Sequence, residues 1–310
     1  MSTPAPQKQV DLSKILGGAQ LPALPQSAIK LLELSQDPDN GPAEFAVPIE
    51  ADPGLTGQVL RFVNSSYFGF AREISSIKLA ITLVGIRTIK NFALWSAVFS
   101  LMPNPKCGPF DLKKLWQDSL RRGLFSRAMG KVLGLKEAEE AFAAGLLQDM
   151  AVPLLAKELA ADYVDLLQRR EGGQHRLSEL EQQRFGWTHA EAAGIMARKW
   201  NLPAEFAEIV EGHAATSAFS GGAKGNLNKL AVQLSSLLPS AADDTWTDCG
   251  AFEQAYQSLT SSGSPSVAQM LEQTDKEFAD FAPVLKLSTP AKSLNEYYTE
   301  ATAALAAAPA

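Results

Sequence analysis

Cysteine is nearly absent: Cys107 and Cys249 are the only two in 310 residues. At most one bridge in a chain this long is no disulfide framework, which points to a reducing compartment. Neither cysteine has a second thiol nearby in sequence, so a zinc site built on thiolates lacks its ligands. Histidine is scarce as well, confined to positions 175, 189 and 213. Positive charge is not in excess, with 28 Lys and Arg against 34 Asp and Glu and a net charge of -6. Binding to a phosphate backbone draws on clustered positive charge, so DNA is not an expected partner. Long apolar runs are missing too. The most membrane-like stretch, Leu79 to Met102, is interrupted by Arg87, Lys90 and Asn91, whereas a spanning helix needs ~20 nearly uninterrupted apolar residues. Met1 to Val10 is polar and proline-rich, without the apolar core of a secretory leader. The expectation is a cytoplasmic chain with no membrane partner.

What is present suits a folded helical protein. The hydrophobic fraction is 46% and the charged fraction 20%, close to globular averages and enough for a core. Through the first 215 residues apolar positions recur at helical spacing, and sustained alternation of the strand kind is scarce. In Leu112 to Leu133, one stripe carries Leu112, Leu115, Trp116, Leu120, Leu124 and Ala128, with Asp111 as N-cap. Arg121, Arg122, Arg127 and Lys131 read there as a solvated face. Thr188 and Glu191 have the spacing of a capping box, ahead of Ala192, Ile195, Met196 and Trp200 on one stripe. Asp52-Pro53 opens a helix carrying Leu55, Val59, Leu60 and Val63, which the Asn64-Ser65-Ser66 turn closes. Gly85, Gly145 and Gly194 lie in or beside apolar helices, where close helix approach is the expected reason for glycine. Ala214 to Asn226 reads as a loop, and Ala301 to Ala310 as a frayed, disordered tail.

Four stretches, in order, carry a resemblance to a known family. The first is Leu21-Pro22-Ala23-Leu24-Pro25, followed by Asp52-Pro53-Gly54-Leu55-Thr56 and the run Val59 to Ser65. The second is Ile77 to Gly85, with Ala80-Ile81 ahead of Leu83-Val84-Gly85. The third runs from Ala141 through Leu147 to Gln148-Asp149, and the fourth holds Glu181, Gly186, His189, Gly194, Trp200, Leu202-Pro203 and His213. Together they resemble the HDOD family, a bacterial relative of the HD-domain metallophosphohydrolases, over about residues 15 to 215. The resemblance implies an all-α fold with an N-terminal helical lobe and an HD-like lobe. Residues 1–14 would be a tail, 216–300 a short helical C-terminal extension and 301–310 the disordered end. The sequence leaves open whether residues after 226 pack back onto the rest.

Catalytic HD domains gather histidines and aspartates around divalent metal, which activates water. The His-Asp pair position here reads Gln148-Asp149, and a neutral amide replaces imidazole poorly on a transition metal. The earlier histidine falls at Asp118. The residues expected in the degenerate pocket are therefore Asp118, Gln148, Asp149, His189 and His213, with no metal, no cofactor and no catalytic residue assigned. Asp149 reads first as a cap or hydrogen-bond partner at the turn before Pro153. Arg121 and Arg122 are expected to point away from Asp118 on the helix wheel. His175, after Gly172-Gly173-Gln174, reads as an exposed loop residue.

The resemblance implies a non-catalytic regulatory module of bacterial signal transduction. Its partner would be a signalling protein acting in trans, with a nucleotide as a candidate ligand. The competing reading is a divergent metal-dependent phosphohydrolase or cyclic-nucleotide binder using Asp118, Asp149 and His189 or His213.

Overall fold

The sequence sets helix starts by placing short polar acceptors ahead of apolar stripes, and the computed structural model shows these caps formed. It describes residues 10–18, 21–136, 138–215, 219 and 225–307, and among them there is no strand. Asp11 accepts from the backbone of Ser13 at 2.9 Å and opens α1 (Leu12–Gly18). The stretch read as an N-terminal tail thus enters a helix at residue 12, because Asp11 satisfies an amide that a helix start leaves open. Residues 1–9 of that stretch lie outside the described residues.

Two compact units divide the chain. One comprises residues 22–102 and 276–289. Its helices are α2 (Gln26–Leu34), α3 (Pro42–Glu50), α4 (Pro53–Val63), α5 (Ile77–Val84) and α6 (Ile86–Leu101). Asp52 caps α4 by accepting from Leu55 N at 3.1 Å, and its other oxygen takes the Ser27 hydroxyl at 3.0 Å. Asn64 closes α4 and exchanges two hydrogen bonds with the backbone of Ile74, at 2.7 and 2.8 Å. The core centres on Phe62, which stacks on Phe92 with ring centroids 4.0 Å apart. Gly85 joins α5 to α6 at φ +97°, a backbone state L residues rarely adopt. Its role is that turn rather than the close helix approach expected from the sequence.

The other unit takes residues 103–275 and 290–310 together with the N-terminal segment to Leu21. It is built round α7 (Leu112–Val132), which packs against α8 (Glu139–Leu147) and, later in the chain, α14 (Leu227–Ser235). Between them run α9 (Val152–Glu158), α10 (Ala160–Arg169), α11 (Leu177–Phe185), α12 (His189–Lys199) and α13 (Ala204–Glu211). α15 (Cys249–Leu259), α16 (Val267–Phe281) and α17 (Leu294–Ala307) complete the chain. The capping box of α12 is present, with Thr188 N donating to Glu191 at 2.7 Å. Gly145 lets α8 meet α7 closely: an added Cβ would lie 2.9 Å from the Arg122 carbonyl oxygen and 3.0 Å from Gly123 Cα. Gly194 does the same in α12, where a Cβ would lie 2.6 Å from Glu211.

Two expectations need correction. Arg121, Arg122, Arg127 and Lys131 do not form one solvated face: Arg121 and Arg127 are buried and Arg122 is half-buried. α7 is covered on nearly every side from Trp116 to Arg127, so its arginines find partners inside the fold rather than in water. Arg121 donates to the Lys292 carbonyl at 2.6 Å, and Arg127 lies 3.8 Å from Glu139 and over the Phe142 ring. Second, residues 301–307 are helical within α17, since alanine is the strongest helix former; residues 308–310 lie outside the described set. The question left open by the sequence, whether the helices after 226 pack back, is answered by two contacts. α14 packs on α7 and α8, and Tyr297 of α17 donates to the Ser240 carbonyl at 3.2 Å. Of the expected loop 214–226, residues 216–218, 220 and 221–224 lie outside the described residues.

Candidate functional site

α8 ends with its last backbone turn at Gln148, and the tight connection to α9 drops Asp149 into the interior. Asp149 is 4% exposed. It does not cap the turn before Pro153, as the sequence suggests; its side chain serves a long-range cluster. One carboxylate oxygen, Oδ2, accepts from the Arg122 guanidinium. The other, Oδ1, lies 3.2 Å from His189 Nε2 and 3.6 Å from His213 Nε2. The two imidazole Nε2 atoms are 3.3 Å apart.

Each histidine is oriented from behind. His189 begins α12, and its Nδ1 lies 2.6 Å from Glu181 Oε2, which also accepts the His189 backbone N–H at 2.7 Å. Glu181 is fully buried on α11, and Tyr163 of α10 donates its hydroxyl to the free oxygen at 2.6 Å. His213 sits just beyond α13, with Nδ1 2.6 Å from the Val210 carbonyl. A carbonyl only accepts, so Nδ1 carries the ring proton and Nε2 faces Asp149.

Burial works against the charge on Asp149, but Arg122, His189 and His213 outweigh it and hold the carboxyl well below the usual carboxylate range. Burial likewise opposes the His189 imidazolium, yet Glu181 and Asp149 on either side raise it to about 9. Burial lowers His213. For the chain kept free of metal, the His189 contribution to stability is complete below about 6.5, the ordinary value of an unfolded histidine. It falls away as pH climbs toward about 9. Urea midpoints in chelator should therefore drop between pH 6.5 and 9, and drop less in His189→Gln. Equal slopes in the two proteins would show that His189 does not titrate across this window.

The five pocket residues expected from the sequence divide into two groups. Asp149, His189 and His213 meet. Asp118 is buried beside them on α7 but is held by the 240s: the Ser240 hydroxyl donates to Oδ2 and Ala241 N to Oδ1 at 2.7 Å. Gln148 turns toward α14, with Nε2 3.5 Å from Ser235 Oγ. Arg122 corrects the helix-wheel expectation. It lies four residues after Asp118, on the same face by helical geometry, and reaches Asp149. Glu181 and Tyr163 join the cluster without a sequence signal as site residues, since neither stands at a spacing that marks a site. His175 is exposed, as expected, and lines the cavity that Asp149, His189 and His213 also line. That cavity has a volume of about 130 Å³, against ~10–15 Å³ for one water. Arg170 and Arg176 also line it; Arg170 grips both Asp243 oxygens at 2.7 Å.

No described helix is long and apolar enough to cross a membrane. A curated protein of Treponema pallidum (strain Nichols), itself uncharacterized, is 23% identical over 197 residues, or 62% of this chain. The match spans only 37% of that protein's length. A crystal structure of an HDOD domain protein of unknown function from Geobacter sulfurreducens superposes with a TM-score of 0.69 at 18% identity, covering 88% of this chain and 96% of that one. A Shewanella amazonensis SB2B protein, described provisionally as a phosphohydrolase, gives 0.61 at 19% identity with 93% of both chains covered. A Marinobacter aquaeolei VT8 protein, described provisionally as a signal transduction protein, gives 0.61 at 18%, covering 90% of this chain and 59% of that one. At these identities the likeness is one of fold. The HDOD domain profile matches residues 21–216, well over half of the sequence, and the all-α architecture agrees with it: the chain belongs to the HDOD family.

Proposed function

We propose that this chain is a regulatory module of signal transduction that acts by binding a partner protein or a nucleotide-like ligand, and that it does not hydrolyse phosphoesters. The observation that carries this reading is the state of the HD pair. Gln148 replaces the histidine and faces α14, while Arg122 occupies one oxygen of Asp149. A hydrolytic HD centre needs the pair and the earlier histidine on its metal. Here the first is an amide and the earlier position, Asp118, is spent on Ser240 and Ala241. Those residues do not fit the HD metal set, and no hydrolytic step follows from them.

The Marinobacter protein's description as a signalling protein is in keeping with this reading; the Shewanella protein's as a phosphohydrolase favours the alternative. Steady-state assays settle between them. The purified chain, supplied in turn with Mg²⁺, Mn²⁺ and Fe²⁺, should release nothing above the metal-only blank from a phosphomonoester, a phosphodiester or a cyclic dinucleotide. Turnover by the chain that disappears in Asp149→Asn would make it a divergent hydrolase.

A further inference from the structure

We propose that the cavity wall built by the segment after α10 and the segment after α14 holds a subsite for a phosphoryl group, free or carried on a small phosphomonoester, centred on Arg176. The inference rests on the binding-module reading, which it deepens by naming the ligand chemistry. Nearly every carboxylate that lines the cavity is already engaged. Asp149 takes Arg122, Asp243 takes Arg170 and the Ser240 amide at 3.0 Å, Asp118 takes Ser240 and Ala241, and Asp111 caps α7. Arg176 has far less to hold. Its Nη2 donates to Ser236 Oγ at 3.2 Å, and its Nε lies 3.8 Å from Asp248, too long for a hydrogen bond. Burial works against the Arg176 charge and pushes the Asp248 carboxyl up as well, so this pair is a weak one. A guanidinium carries five N–H donors, and the Arg176 side chain is 16% exposed and lines the cavity. Most of that fork has no acceptor among the described residues, and a tetrahedral oxyanion accepts it bidentately.

Two further features add positive potential to the same cavity. Lys114 is exposed on its lining and makes no ion pair among the described residues. α11 begins directly after Arg176 with no side-chain cap among the described residues, and Leu177 and Ser178 of its first turn line the cavity. The amides that a helix start leaves open therefore favour an anion beside the guanidinium. The wall is also fixed in advance. The Gly172 carbonyl accepts from Asp244 N at 2.8 Å, and Gln174 donates to Thr245 Oγ1 at 3.1 Å. An added Cβ on Gly173 would lie 2.7 Å from the Thr245 carbonyl oxygen, so the glycine pair is what lets the two segments meet. Ser236 to Asp248 lie beyond residues 21–216, the stretch the HDOD profile matches, so that half of the wall is no part of the family domain. A cavity of about 130 Å³ is smaller than the ~300 Å³ at which pockets for drug-sized ligands begin, which suits a phosphoryl group and its immediate neighbours.

Calorimetric titration of the full chain in chelator is the test, with inorganic phosphate, adenosine monophosphate and unphosphorylated adenosine as probes. Phosphate and the monophosphate should each bind at one site with a dissociation constant of about 1 mM or tighter, and adenosine should give no heat. Tighter binding of the monophosphate than of phosphate identifies an ester as the ligand; equal affinities identify free phosphate. Arg176→Gln should weaken both by about 10- to 100-fold, the loss of charge-assisted hydrogen bonds. Arg176→Lys, which keeps the charge and loses the fork, should restore only part of that. Lys114→Gln alters an exposed side chain and leaves the fold intact; it should weaken both by a smaller factor, while Arg169→Gln on the exposed end of α10 should change neither. A wild-type chain that binds neither phosphate nor the monophosphate overturns the proposal, whatever the variants do. Binding undiminished in both Arg176→Gln and Lys114→Gln, or binding that appears only when Mn²⁺ replaces the chelator, places the phosphate elsewhere and overturns it equally. Failure of the subsite leaves the module reading standing with a protein partner, whereas turnover of a phosphoester sinks the module reading and leaves the subsite.

Discussion

Asp149→Ala should destabilise the metal-free chain by about 3–5 kcal/mol, the usual cost of removing one partner of a buried ion pair. The loss is not that of one contact. Arg122, held in place by Asp149, would face the interior without its anion, and the His189 imidazolium would keep only Glu181. Replacing both charges is the informative control. Arg122→Met with Asp149→Leu should be less damaging than Asp149→Ala alone, because buried ion pairs replaced whole by apolar groups are often close to neutral. Urea denaturation of the single and double variants at pH 7 in chelator checks it. An Asp149→Ala variant within 1 kcal/mol of wild type would mean that Arg122 finds water and that the cluster contributes little to the fold.

Gly145→Leu should cost about 3 kcal/mol, at the upper end for overpacking a core. The obstacles include the Arg122 carbonyl oxygen and Gly123 Cα, which are backbone atoms of α7 and cannot swing aside as a side chain end can. Gly145→Ala should also destabilise, by about 1 kcal/mol or more. In an exposed helix the same change gains ~1 kcal/mol, so the sign itself reports the close approach. A stabilised Gly145→Ala protein would show that α7 and α8 can separate freely. Because α7 carries Arg122 and α8 leads into Asp149, both substitutions should also weaken the pairing of these two residues.

Much of the fold was legible because its signals are local. The Asp52, Asp111 and Thr188 caps, the α7 and α12 stripes and the Asn64 turn each depend on residues within a few positions of one another. The environment of α7 was not legible. A helix covered on nearly every side still carries Arg121 and Arg127, and partners brought in by the fold, among them the Lys292 carbonyl and Asp275 for Arg121 and Glu139 for Arg127, make their burial tolerable. Gly85 was read for its size when its positive φ decides its use.

The site was half legible. The pair position led to Asp149, and its resemblance to the family led to His189 and His213. Gln148 and Asp118, named with them, are bonded to residues 235, 240 and 241, which lie beyond the region of resemblance. The helix wheel sets Arg122 apart from Asp118, although their i, i+4 relation places both on one face. Glu181 lies eight residues before His189, across the turn from α11 to α12, and no periodicity predicts that hydrogen bond.

The central claim is that this pocket binds without cleaving. Its most direct test is a single-turnover experiment with the chain in excess over a cyclic dinucleotide, loaded with Mn²⁺ or Fe²⁺ and followed by phosphorus NMR. The account predicts that the diester resonances persist for hours with wild-type protein, as they do with Asp149→Asn. Conversion to a linear or mononucleotide product by the wild-type chain, absent from the variant, would contradict it.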